Sequence, residues 1–249
     1  MRNIKLVIEY DGKNYPGWQS QPGKVSIQTE IEKAIFEVTG EAVDLTAAGR
    51  TDAGVHAWGQ VANFHTNSNI EVHKIPYALN AKLPHSIVIQ SAEEVEERFH
   101  ARYLCNGKTY RYIINPNKFP SALDRYREFH VPYPLDIKKM KVALKKFEGE
   151  HDFKGFKSSG GSPKKTTIRT LTSCVLKEQN GKIMIELTGD GFLYNMVRII
   201  CGTVVDVGLG KIPVEEIEDI ILSGDRKRAG RTLPPHGLYL VKVYYDNFS

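Results

Sequence analysis

Cysteine is scarce and scattered in this chain. Cys105, Cys174 and Cys201 are odd in number and form no C-x-x-C pair, which argues against a disulfide framework and against a structural zinc site. A reducing cytoplasm suits that composition. Long apolar runs are lacking as well. The most apolar stretch, Phe192 to Leu209, is interrupted by Asn195, Arg198 and Asp206, so it reads as a buried helix and not as a membrane span, and no signal peptide is visible. Nor does one sign of charge dominate: 34 Lys and Arg face 29 Asp and Glu, a net charge of +5, so where the charge gathers matters more than its sum. Two further absences narrow the chemistry. Gly49 and Gly54 have phosphate-loop spacing, but Val55-His56 stand where such a loop needs Lys and Ser or Thr. His56, His65 and His73 lie nine and eight residues apart with no thiolate or paired carboxylate beside them, which fits no common metal site.

What is present is the composition of a soluble globular protein. The 249 residues are 41% hydrophobic and 25% charged, with a mean hydropathy of −0.35, enough to bury a core as one domain or two intimately joined halves. Positive charge gathers in three places. Between Lys138 and Lys146 the lysines fall between Ile137, Met140, Leu144 and Phe147, the pattern of a solvated helix face. Ser158 to Lys165 combines Gly and Ser with charge and has no hydrophobic period, which suits a loop that settles on phosphates. Lys164 and Lys165 there, with Arg226, Lys227 and Arg228 in the third cluster, are the candidate contacts to a nucleic-acid backbone.

Hydrophobic periodicity predicts a mixed fold. Met1 to Tyr10 alternates as a strand. Ser26 caps a helix whose Ile27, Ile31, Ala34, Ile35 and Val38 share a stripe, and Gly40 closes it. Asp44 to Ala48, Gln60 to Thr66 and Ser86 to Ser91 read as extended, and a helix over Val72 to Leu83 is interrupted by Pro76. In the second half, Lys108 to Asn115 reads as a strand and Asp136 to Phe147 as a helix. Ile168 to Gln179 and Lys182 to Thr188 form a hairpin around Asn180-Gly181. Asp190 is positioned to cap the long apolar helix, Pro213 opens another through Leu222, and Gly237 to Tyr245 closes the chain as a strand. Helices among hairpin-compatible strands, without regular βαβ alternation, indicate α+β. The halves are placed at 1–105 and 106–249.

The nonapeptide Gly49-Arg50-Thr51-Asp52-Ala53-Gly54-Val55-His56-Ala57 sets a guanidinium and a carboxylate two residues apart in a glycine-bounded turn, where backbone can approach a ligand closely. Physically, the same residues also describe a surface turn that holds a salt bridge. As a string, the segment resembles the signature of the tRNA pseudouridine synthase A family. The resemblance extends to Asp11-Gly12-Lys13-Asn14-Tyr15-Pro16-Gly17-Trp18-Gln19, Lys108-Thr109-Tyr110-Arg111-Tyr112, Gly191-Phe192-Leu193-Tyr194-Asn195-Met196-Val197-Arg198 and Pro235-His236-Gly237-Leu238, in order along essentially the whole chain. Leu233 departs from it, standing where the family is expected to carry a small residue, often alanine.

That resemblance implies two ferredoxin-like (RRM-like) halves joined through a largely antiparallel central sheet, a catalytic cleft between them, and a homodimer acting on tRNA with no cofactor, metal or membrane. It implies isomerisation of uridine to pseudouridine in the anticodon stem-loop, at tRNA positions 38, 39 and 40. Asp52 is then the catalytic carboxylate; whether it adds to the anomeric carbon, adds to the uracil ring or abstracts a ribose proton is left open by the sequence. Arg198 is implied as its ion-pair partner, and Arg198 is the one cation between Gly191 and Val205. Asp190 and Asp206, each eight residues away, compete for that guanidinium on spacing alone. Tyr110 would stack on the uracil, although Tyr110 and Tyr112 on one strand face also fit an aromatic core. Arg50 would serve as a wedge or phosphate hook for a flipped nucleotide, and Leu193 would pack beside the base. Asp11 to Gln19, with Trp18 amid glycines, suits structural support for the cleft or a rim contact more than catalysis. A catalytically silent RNA-binding module and a metal-free nucleoside hydrolase are the rival functions.

Overall fold

The computed structural model describes residues 1–160 and 166–246. In chain order the elements are β1 (Arg2–Tyr10), α1 (Ile27–Thr39), β2 (Thr46–Ala47), β3 (His56–Thr66), α2 (Ile75–Asn80), β4 (Ile87–Val95), β5 (Gly107–Asn115) and β6 (Phe129–His130). They continue with α3 (Ile137–Lys145), β7 (Gly149–Asp152), β8 (Ile168–Gln179), β9 (Lys182–Gly189), α4 (Met196–Gly208), α5 (Ile217–Ser223) and β10 (Leu238–Tyr244). The fold is α+β, its strands mostly antiparallel. Two compact units are present, one of Met1–Asn106 with the closing strand from Tyr239, the other of Gly107–Leu238. The closing strand joins the first unit. It does so by a short parallel ladder to β3, Tyr239 opposite His56 and Leu240 opposite Ala57, a non-local pairing that no local pattern announces.

In the first unit β1 lies between β4 and β3, antiparallel to both, and β2 pairs antiparallel with β3. The order β1-α1-β2-β3-α2-β4 is the ferredoxin-like succession. Its core is the inward row Ile4, Leu6, Ile8 and Tyr10 of β1 together with Ile27, Ile31, Ala34 and Ile35 of α1. Ser26 caps α1 as expected, its Oγ accepting the Thr29 N–H at 3.2 Å while Thr29 Oγ1 accepts the Ser26 N–H at 2.9 Å. Gly40 closes the helix at φ 75°. β2 covers only Thr46–Ala47 of the expected 44–48, and β4 runs on to Val95 beyond the expected Ser91; two further boundaries differ for identifiable reasons. β3 starts at His56 and not at Gln60, because it is buried on both faces and shows little alternation. Pro76 opens α2 within its first turn instead of interrupting a longer helix, a place where its missing N–H costs nothing.

In the second unit the order is β5-β9-β8-β7, antiparallel throughout, with β6 parallel to β5 at its end. The β8–β9 hairpin turns at Asn180 and Gly181, whose φ values of 52° and 70° suit the left-handed positions of a two-residue turn. α4 is buried nearly all round, as its continuous apolar sequence requires. Asp190 does not cap it. The Asp190 carboxylate accepts the Thr170 N–H at 3.1 Å instead, and the cap position falls to Asn195, because the chain needs the residues after Asp190 to turn from β9 into the helix.

Candidate active site

The sequence's candidates divide between the units: Arg50 and Asp52 in the first, Tyr110, Leu193 and Arg198 in the second, together with Arg226, Lys227 and Arg228. Lys164 and Lys165 lie outside the described residues.

The Asp52 turn joins β2 to β3. Ala48 N–H donates to the Val61 carbonyl at 2.8 Å and Gln60 Nε2 to the Gly49 carbonyl at 2.8 Å, which pins the start of the loop to the strand it enters. Val55 N–H closes the turn on the Asp52 carbonyl at 3.1 Å, with Gly54 at φ 77°. Asp52 is half-buried and Arg50 exposed.

A second segment braces this turn from outside. Asp11 Oδ1 accepts the Lys13 N–H at 3.0 Å and starts a tight helical turn over Gly12–Asn14. Gly12 N–H then donates to His56 Nδ1 at 3.1 Å, and a side chain at Gly12 would lie 1.9 Å from the Val55 carbonyl oxygen. Gly17 bridges to Asp52, at φ 117°, and a Cβ there would meet the Thr51 carbonyl oxygen at 2.6 Å. Trp18 N–H donates to that same oxygen at 3.0 Å. The Asp11 to Gln19 segment is thus the support suggested by its composition. The signal that could have located the contact is the glycine spacing, since only residues without a Cβ allow such an approach.

In the second unit β5 presents Tyr110 and Tyr112 on one face, both buried, while Arg111 on the other face pairs with Glu186. Tyr112 donates its hydroxyl to the Pro234 carbonyl at 2.7 Å, and burial pushes its pKa well above the ordinary tyrosine value. It is a core residue. Tyr110 meets Phe192 edge-to-face at 5.1 Å between ring centres, and Leu193 is buried directly after it in the chain.

Arg198 sits in the first turn of α4. Its Nε donates to the Leu233 carbonyl and its Nη1 to Asn195 Oδ1, each at 2.6 Å. Asp190 is held by Thr170, and Asp206 lies 3.9 Å from Arg231, so neither sequence neighbour takes this guanidinium. Leu233, which departs from the expected small residue, is fully buried. Its carbonyl is what Arg198 uses, and its side chain lies near Gly202.

The third basic cluster is not uniform. Arg226 turns its guanidinium into its own loop, donating to Gly230 O at 2.9 Å and Thr232 Oγ1 at 3.0 Å. Arg228 lies 3.8 Å from Glu216, and Lys227 is exposed. Among the described residues no three His, Cys, Asp or Glu side chains converge as a metal cluster, and no helix is long and apolar enough to cross a membrane.

Comparison with known proteins identifies the family of this mostly antiparallel α+β chain. Residues 6–104 and 143–246, most of the chain, match the tRNA pseudouridine synthase family. Over 245 residues, 98% of this chain and 100% of each relative, it is 56% identical to the tRNA pseudouridine synthase A of Acetivibrio thermocellus. Over the same span it is 52% identical to that of Thermoanaerobacter sp. and 53% to the tRNA pseudouridine synthase A 2 of Clostridium perfringens. The chain belongs to the tRNA pseudouridine synthase family.

Proposed function

We propose that this isomerase converts uridine to pseudouridine in the anticodon stem-loop of tRNA, at positions 38, 39 and 40, with Asp52 as its one catalytic carboxylate. The reaction breaks an N-glycosidic bond, turns the uracil and re-bonds it through carbon, with no net redox change and no group lost. An ionised carboxylate suffices as the protein's reacting group. The observation that carries this assignment is the Asp52 turn, a carboxylate on a loop held by bonds and close glycine contacts on both sides, inside a segment that matches the family. Such rigidity is what a group needs if it is to meet a reacting atom in one geometry.

The other roles follow from the family resemblance. Arg198 is the ion-pair partner that keeps Asp52 ionised, Tyr110 is the stacking surface for the uracil and Leu193 packs beside it. Arg50, exposed beside the turn, engages the backbone of the flipped nucleotide. Lys164, Lys165, Lys227 and Arg228 contact phosphates, the enzyme works as a homodimer in the cytoplasm, and no cofactor takes part.

The test is Asp52→Asn, nearly isosteric and without the ionisable oxygen. Pseudouridine formation should disappear while tRNA binding survives. Substantial turnover by a folded variant would sink the assignment, and release of free uracil by the unaltered enzyme would instead indicate a hydrolase.

A further inference from the structure

Asn195 holds a backbone conformation that few residues other than glycine adopt. Its φ is 62°, and among the described residues the one other such non-glycine is Asn180, in a hairpin turn. Asn195 stands at the N-cap of α4, yet its side chain makes no capping bond. An asparagine there ordinarily gives its oxygen to an N–H of the first helical turn. Here Oδ1 accepts from Arg198 Nη1 at 2.6 Å, and Nδ2 donates to Ser158 Oγ at 3.0 Å. The amide cannot be turned the other way, because a guanidinium has only donors and must face the oxygen. Arg198 Nε is held at the same time by the Leu233 carbonyl, so two bonds on different nitrogens fix the guanidinium plane. Ser158 is anchored in turn by its N–H to the Tyr194 carbonyl at 3.2 Å.

We propose that Asn195 is a positioning residue for the isomerisation: its amide forgoes the helix cap to orient the Arg198 guanidinium, and ties that orientation to Ser158. The proposal rests on the role given to Arg198 above. It also accounts for the left-handed backbone, which is sustained where surrounding contacts over-determine it.

The test compares Asn195→Gly, Asn195→Asp, Arg198→Leu and the double variant Asn195→Gly/Arg198→Leu, by single-turnover rate on tRNA, tRNA Kd and melting temperature. Glycine keeps the left-handed backbone and deletes only the amide. Asn195→Gly should slow the single-turnover step on the order of 10- to 100-fold, the scale on which misplacing a reacting group acts, with Kd and melting temperature near the unaltered values. Asn195→Asp, which retains an acceptor for Nη1, should recover most of the rate. The double variant should be no slower than Arg198→Leu alone, since both changes act through one group. An unaltered rate in Asn195→Gly, an additive loss in the double variant, or an Asn195→Asp as slow as the glycine variant overturns the proposal while leaving Arg198 its role. A normal rate in Arg198→Leu overturns both.

Discussion

The hydroxyls of Tyr10 and Thr51 meet at 2.7 Å inside the first unit, so a residue of β1 holds the one immediately before Asp52. Tyr10 is 3% exposed. Burial pushes its pKa well above the ordinary tyrosine value, against hydrogen bonds to Thr51 and Gln60 that pull it down, and the phenol stays neutral as a hydrogen-bonding anchor. Tyr10→Phe leaves the Thr51 hydroxyl in the core without this partner. A loss of about 1 to 3 kcal/mol is expected, read as a lower urea midpoint, together with a slower single-turnover rate at nearly unchanged tRNA affinity. Unchanged stability would show that the bond contributes nothing.

Tyr110 separates stacking from hydroxyl chemistry. Tyr110→Ala removes the surface proposed for the uracil, worth ~1 to 3 kcal/mol per stacked base, and should slow the chemical step at saturating enzyme. Tyr110→Phe keeps the ring and should retain most of the stacking contribution. If the alanine variant reacts at the normal rate, the uracil does not stack there.

Neighbours in one basic cluster should behave differently. Lys227 is exposed, so its replacement by Ala should flatten the salt dependence of tRNA binding by about 0.7 to 0.9 units of slope if it makes one phosphate contact. Arg226 is occupied with Gly230 and Thr232 of its own loop. Arg226→Ala should lower the melting temperature and change the salt slope little. Binding constants across a salt series, with melting curves for both variants, decide this.

Alkaline pH should destabilise the fold. Burial pushes the Cys174 thiol up from 9.0 to about 12, and raises Cys201 and Tyr112 in the same sense. The unfolded chain gives up these protons first. The stability these neutral groups contribute is therefore fully present below about pH 9 and is lost as pH rises from about 9 towards 12. Urea midpoints measured through that window should fall steadily. Thiol labelling near neutral pH should reach half-buried Cys105 in the native state and reach Cys174 and Cys201 only on unfolding.

Local chemistry was legible where near neighbours decide the outcome. Ser26 and Gly40 bound α1, and Asn180-Gly181 turns the β8–β9 hairpin, because caps and tight turns depend on a few adjacent dihedrals and hydrogen bonds. Asp190 misled for a related reason. Its type suits a cap, but β8 offers it the Thr170 N–H, a partner twenty residues away along the chain.

The sequence by itself determined the family, through a set of motifs running the length of the chain, because those motifs are strings that can be read without the fold. Tertiary structure alone decided what holds the Asp52 turn and the Arg198 guanidinium. Gly12 and Gly17 reach Val55 and Thr51, Tyr10 reaches Thr51, and the Leu233 carbonyl and Asn195 Oδ1 accept from Arg198. Most of these contacts join residues far apart in the chain. They exist because folded backbones approach closely enough for a Cβ to be excluded or a buried hydroxyl to be satisfied, and that distance is set by packing rather than by residue type or spacing.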